Sequence, residues 1–343
     1  MEIKALRQTA RERLKGFCKV CPVCNGIACA GEVPGMGGVG TGRGFTVNLE
    51  ALARFRLNMR TIHEVKSPDT SVTLWGQPLS MPVLSAPMTG TPYNMGGKMS
   101  EEEFTEALVS GSVTAGTIAM TGDGAAPTMF DSGLKAIAGS GGRGAAIIKP
   151  RQQEEVVDRI RRAEESGVVA VGVDIDGAGL VTMALKGQPV SPKTLEELRE
   201  LATSTKKPFI VKGVMTADEA ERAVSAGASA IVVSNHGGRV LDHTPGAADV
   251  LPAIARAVKG SVSILADGGV RTGADVLKLL ALGADAVLVG RPLAVGAFGG
   301  GAEGVAYLLI RMRNELIQAM LLTGTADVRS VRREILYNDE TGD

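Results

Sequence analysis

The 343-residue chain predicts an α/β fold, a (β/α)8 barrel of the TIM type with an N-terminal helical and loop extension. Three observations predict it. From about residue 83 onward, eight short apolar runs alternate with amphipathic stretches of helical period. Each run is bounded by Gly, Pro, Asp or Lys, as expected for strands buried on both faces. The alternation occupies about 210 residues, close to the ~250 of the usual barrel. An open doubly wound sheet is the alternative architecture for such a pattern.

Residues 1–80 read as an extension packed on the barrel. It ends in a small hairpin, Val72–Leu74 and Leu79–Met81, linked through Gly76-Gln77 at the barrel base. The barrel, 81–325, begins with the strand Val83–Ala86. Glu101–Ser110 reads as the first helix, because Ser100 is an N-cap with Glu103 placed for a capping box. Strands then follow at Thr114–Ile118, Ala145–Ile148, Val168–Asp174, Phe209–Lys212, Ala230–Ser234, Ser263–Ala266 and Ala286–Val289. Helical patterns fill the gaps: Pro127–Ile137, Gln152–Glu165, Pro192–Thr203, Ala217–Ala226, Ala247–Val258 and Ala274–Leu282. Ala302–Thr323 is the closing helix and 326–343 a C-terminal tail. With no linker and no repeat beyond the βα unit, one domain is expected.

Composition narrows the function. Lys plus Arg equals Asp plus Glu at 37 each, so nothing encodes a general attraction to nucleic acid. Glycine is abundant at 45 residues, which suits backbone that approaches a ligand closely. No run of 18 apolar residues is present and Met1–Arg7 lacks a signal-peptide core, so a soluble, cytoplasmic protein away from membranes is expected.

All four cysteines fall in one C-x2-C-x2-C-x4-C segment, Cys18, Cys21, Cys24 and Cys29. In a reducing compartment they are thiols or metal ligands rather than disulfides. Four thiolates so close suit zinc or an iron–sulfur cluster, and the compact spacing is nearer to ferredoxin-type clusters than to separated zinc knuckles. Reduced thiols in a glycine-rich lid, or a redox-active dithiol, are the other readings.

Active sites of barrels lie at the C-terminal strand ends. The residues there are Pro87-Met88-Thr89, Gly116-Thr117, Asp174, Lys212, Ser234-Asn235-His236, Asp267-Gly268-Gly269 and Gly290-Arg291. The turns after the last two strands suit a phosphate, which Arg271 and Arg291 can bind with charge-assisted hydrogen bonds. A lysine ending an apolar strand, Lys212, suits an anionic or electron-accepting ligand. His236 and Arg239, three apart in a glycine-rich loop, pair a base with a fixed cation, as a carboxylate that must lose a proton requires. His63 reads as structural and His243 as a surface residue.

Ser234-Asn-His-Gly-Gly-Arg-Val-Leu-Asp242 resembles the signature of the FMN-dependent α-hydroxy-acid dehydrogenase/oxidase family, the group of glycolate oxidase, lactate oxidase and flavocytochrome b2. Ala86-Pro87-Met88, Lys212-Gly213, Asp267–Arg271 and Gly290-Arg291-Pro292 also match, in order, across roughly residues 45–325. The resemblance implies FMN across the barrel mouth and a small-molecule carboxylate substrate. It implies that His236 removes the substrate proton, that Arg239 holds its carboxylate, and that Asp174 orients His236 and favours its cation. Lys212 would lie near flavin N1. Pro87, Met88, Thr89 and Thr117 would touch the flavin, with Ser234, Gly237 and the rest of the signature beside it. Asp267, Gly268, Gly269, Arg271, Gly290 and Arg291 would hold the phosphate end. A homo-oligomer, a tetramer, is also implied.

The chain departs from the family in three places. Pro34–Gly42 and the strand Gly144–Ile148 lack the two tyrosines that usually reach the substrate. Asp176–Met183 lacks the family's second carboxylate-binding arginine, and Tyr93 is a candidate for supplying a missing hydroxyl. Two other readings remain open: a flavin-dependent isomerase of the type 2 isopentenyl-diphosphate isomerase kind, and a non-catalytic flavin-binding sensor or electron-transfer module.

Overall fold

A computed structural model describes residues 2–337. Eight strands form a closed parallel barrel: β3 (Val83–Ser85), β4 (Ala119–Thr121), β5 (Gly144–Ile148), β6 (Ala170–Asp174), β7 (Phe209–Val214), β8 (Ala230–Val233), β9 (Ser263–Ala266) and β10 (Ala286–Val289). β10 pairs with both β9 and β3, with Val287 opposite Val83, and this closes the ring. Successive side chains of a strand face opposite sides, and the apolar runs divide accordingly. Leu84, Met120, Ile147, Ile210, Val232, Leu265 and Leu288 fill the barrel interior. Val83, Ala119, Ala146, Val211, Ile231 and Ile264 face the helical shell. Continuous rather than alternating hydrophobicity follows from that double burial.

Below the barrel lies the hairpin of β1 (Val72–Leu74) and β2 (Gln77–Leu79). Its Leu74 and Leu79 join the interior cluster and plug the base. The second strand begins two residues earlier than the sequence suggested. Trp75 and Gly76 both take positive φ, 51° and 76°, and make the two-residue turn that matches strand twist.

The expected strand Thr114–Ile118 is a second correction. The capped helix continues through Glu101–Thr114, Gly116 turns the chain at φ 82°, and β4 starts only at Ala119. Thr117 therefore sits at the N-terminal end of the barrel, where its Oγ1 donates to the Val83 carbonyl at 2.7 Å. The remaining elements agree with expectation within a few residues. The capping box of Ser100 and Glu103 forms as expected.

The last helix spans Arg291–Thr323 but breaks at Gly300 and Gly301, so Ala302–Thr323 follows a shorter helical piece opening on β10. By length and hydropathy this helix could cross a bilayer. Here it packs on Ile3–Arg13, Glu101–Thr114 and Gly273–Ala281 as part of the shell. The tail returns to the N-terminal extension, with Leu336 bridged to Leu57 and Asp327 to Asp69. The rest of the expected tail, residues 338–343, lies outside the described residues.

Candidate active site

The C-terminal strand ends open into a cavity of about 150 Å³. Each strand contributes near its C-terminal end or through the loop after it. Pro87, Met88 and Thr89 follow β3, Asp174 ends β6, Lys212 lies near the end of β7, and His236, Gly237 and Arg239 follow β8. Asp267, Gly268, Gly269 and Arg271 follow β9, and Gly290 and Arg291 follow β10. All of these border the cavity. Four expected residues, Gly116, Thr117, Ser234 and Asn235, do not. Thr117 is at the other end of the barrel, and Gly122 to Gly124 take the place after β4. Ser234 is fully buried beneath the site, where its Oγ accepts from the His236 backbone N–H at 3.1 Å and faces Lys212 Nζ at 3.4 Å.

The electrostatic centre is a buried cluster. Asp174 meets Lys149 Nζ through Oδ2 at 2.5 Å and Lys212 Nζ through Oδ1 at 3.0 Å. Burial opposes its charge, but the two ammonium groups outweigh burial and hold its carboxyl well below the usual range. Burial likewise opposes the charge on Lys212, yet Asp174, Asp176 and Asp267 raise its pKa. Asp176 behaves in the opposite way. Burial, then the neighbouring Asp174, push its pKa well above the usual range. It approaches this closely because β7 shifts register at Gly213, where a Cβ would stand 2.6 Å from Asp176 Cγ.

His236 has left-handed backbone, φ 57°, a strained conformation that aims its ring at the cluster. Its Nδ1 lies 3.0 Å from Asp176 Oδ1 and 3.6 Å from Asp174 Oδ2. The geometry gives Asp176, rather than Asp174, the orienting hydrogen bond. Burial, against the pull of Asp174 and with Lys149 and Lys212 adding to it, holds the imidazole pKa well below 6.5. That shift favours the neutral ring over the cation, with Nε2 left for a ligand.

These three groups are also the one trio among the described residues whose potential metal-ligand atoms lie within 4.8 Å of one another. Two ammonium groups already occupy Asp174, and a cation there would face both of them. The donor set suits proton handling better than metal binding.

Two arginines fix the mouth. Arg239 donates through Nη1 to the Gly35 carbonyl at 2.6 Å and through Nη2 to Asn94 Oδ1 at 3.0 Å. Burial brings its pKa down to about 10. Arg291 donates to the carbonyls of Met36, Gly37 and Gly237 and stacks 3.7 Å from the Phe45 ring centroid. Burial, then Arg239, bring it down to about 9. The extension thus forms one wall of the site.

Lys149, Asp176, Asn94 and the Gly35-Met36 segment were missed from sequence. Lys149 directly follows β5 and Asp176 makes an Asp-x-Asp pair with Asp174, so a strand-end search carried two residues further finds both. Asn94 and Gly35 had no local signal. Tyr93 does border the cavity, with its Oη 3.2 Å from Met129 Sδ.

The residues present fit FMN. Gly268 and Gly269 hold φ 90° and 80°, the backbone of a tight anion-cradling turn. A Cβ at Gly290 would meet only Met88 Sδ at 3.6 Å and Ala86 Cβ at 3.8 Å, so its missing side chain leaves room for a ligand. Arg271 Nε and Asp267 Oδ1 are buried without a partner in the chain. Lys212 is a buried cation at the cavity, of the kind that would suit a reduced, anionic flavin ring.

The family model for FMN-dependent dehydrogenases matches residues 35–183 and 181–338. The chain belongs to this family. A 2-hydroxyacid oxidase from Dictyostelium discoideum is 32% identical over 325 residues, covering 85% of this chain and 81% of that protein. Glycolate oxidase 1 of Oryza sativa subsp. indica is 30% identical, covering 85% and 87%. A mandelate oxidase mutant solved with (S)-mandelic acid superposes with a TM-score of 0.81 at 30% identity, covering 97% of both chains. As a member of the FMN-dependent dehydrogenases the protein is an enzyme that uses FMN, of the 2-hydroxyacid oxidase class. These relatives favour neither the isomerase nor the sensor reading. The match begins at residue 35, after the four cysteines.

Proposed function

We propose that this enzyme oxidises a 2-hydroxy acid to the 2-oxo acid at the barrel mouth, with His236 as base and Arg239 as the carboxylate anchor. The observation that carries the reading is a partly buried imidazole tied through Nδ1 to Asp176, in the same cavity as a guanidinium. Nε2 accepts the hydroxyl proton of the substrate. Bound FMN would supply the other half of the chemistry, as the acceptor for the α-hydrogen and its electron pair. Asp174, held ionised by Lys149 and Lys212, stabilises the imidazolium so formed. Lys212 projects between Asp174 and the cavity and suits the flavin's negative edge, while the turns at 268–269 and 290–291 with Arg271 suit its phosphate.

Leu180, Met183 and Tyr93 make the wall beyond Arg239 largely apolar, so an apolar substituent on the 2-hydroxy acid suits the pocket. The loop after β6 brings no arginine to it among the described residues, so Arg239 carries most of the carboxylate recognition. Anaerobic mixing with L-lactate, glycolate or (S)-mandelate tests the reading. Bleaching of the yellow flavin by at least one of them, lost in His236→Gln at unchanged flavin content, is expected. Equal bleaching by wild type and variant overturns His236 as the base.

A further inference from the structure

The flavin site leaves the cysteine segment unexplained. All four cysteines are free and half-buried, and all four line a second cavity of about 360 Å³. Leu293, Leu308 and Met312 of the last helix form its apolar side. The segment is pinned by cations, two of them from the first helix. Arg7 and Arg11 donate to the Val20 carbonyl at 3.3 and 3.1 Å, and Lys19 Nζ donates to the Ala28 carbonyl.

Sulfur atoms receive donors as well. The Val20 N–H points at Cys18 Sγ at 3.4 Å, and Arg271 Nη2 lies 3.5 Å from Cys24 Sγ. Around the cavity Arg7, Arg271, Arg291 and Arg311 face a single acid, Glu315. Such an excess of positive charge and of donors to sulfur suits an occupant ligated by several thiolates, which carries net negative charge.

Sulfur spacing discriminates between occupants. Tetrahedral zinc with Zn–S bonds of about 2.3 Å draws its sulfurs to about 3.8 Å of one another. Among the described residues no three of these sulfurs lie within 4.8 Å of one another. A multi-iron cluster puts each thiolate on a different iron around an inorganic core, so it needs wider spacing and a void. The 360 Å³ cavity provides that void.

We propose that Cys18, Cys21, Cys24 and Cys29 hold a [4Fe–4S] cluster in this cavity. The site goes beyond the hydroxy-acid reading and does not depend on it. Met36, Arg271 and Arg291 border both this cavity and the flavin cavity, so the cluster would lie one layer of side chains from the flavin site.

The test uses the full chain with FMN bound, purified without oxygen and reconstituted with ferrous iron and sulfide. Iron, acid-labile sulfide, zinc and FMN are quantified, and the dithionite-reduced protein is examined by electron paramagnetic resonance. Roughly four iron and four sulfide per chain with a reduced-cluster signal is expected, falling to the background level in a Cys21→Ser/Cys24→Ser variant that keeps its FMN. Stoichiometric zinc without sulfide, iron without sulfide, or a Cys–Cys disulfide in the unreconstituted protein each overturns the proposal. If the serine variant loses FMN, wild type is reconstituted after blocking its thiols with iodoacetamide, and undiminished cluster assembly then overturns it. None of these readouts involves turnover, so they stand apart from the test of His236.

Discussion

The two ends of the barrel are built from the same strands yet obey opposite rules. At the base, Leu74 and Leu79 of the hairpin meet Leu84, Ile118 and Leu265, and the one polar side chain noted there, Thr117, is satisfied by the Val83 carbonyl. At the mouth, at the C-terminal ends of β5 to β8, Lys149, Asp174, Asp176, Lys212 and His236 share one largely buried cluster. Burial at the base removes apolar surface from water and is favourable residue by residue. Burial at the mouth is unfavourable for each charge alone and is tolerated only because the charges are paired. One end therefore supplies stability, and the other supplies protonation states that no isolated residue has.

Mutations at the two ends should separate these effects. The largest concerns the base at the mouth: His236→Gln should lower the rate of substrate-driven flavin reduction by about 10²–10⁴. Stopped-flow bleaching reads that loss, and a melting temperature near wild type would locate it in chemistry rather than folding. At the base, Leu84→Ala should reduce stability by about 2–5 kcal/mol in urea titrations while leaving the rate per folded molecule unchanged. A Leu84→Ala protein that is stable but slow would erase the contrast between the ends.

Smaller effects sharpen the account of the mouth. Arg239→Met should lower kcat/KM by about 10–100-fold, mainly through KM, since a charge-assisted hydrogen bond contributes about 1.5–3 kcal/mol. An unchanged KM would move the carboxylate elsewhere. The subtlest test is of pH. The base works as neutral imidazole, and its pKa is depressed below 6.5, so activity persists as pH falls through 6.5 and declines only under more acid conditions. Lys149 disfavours the imidazolium, and Lys212 remains to keep Asp174 ionised when Lys149 is removed. Lys149→Met should therefore shift the acid limb of kcat/KM to higher pH. A limb that stays put, or moves down, would refute the role given to Lys149.

Much of this was legible locally. The strands β5 to β10 stand where their apolar runs predicted, because burial on both faces writes itself into consecutive residues. β4 was misplaced because Thr114-Ala-Gly-Thr-Ile118 is apolar enough for a strand, while the left-handed turn at Gly116 depends on how the preceding helix ends. His236, Arg239, Lys212 and the glycine turns were legible as strand-end chemistry. Asp176 was not recognised, since its approach to His236 requires the register shift at Gly213 in a different strand.

From its sequence alone the chain determined the alternation of strand and helix, the face on which the site forms and the types of side chain brought there. Those follow from periodicity and from turn chemistry, which act over a few residues. Only the tertiary structure decided which carboxyl is driven toward its charged form, which toward its neutral form and which one His236 meets. Lys149 lies 25 residues from Asp174 and His236 lies 60 from Asp176. Their proton affinities are set by desolvation and Coulomb energy across distances of about 3 Å, which exist only after the barrel has closed.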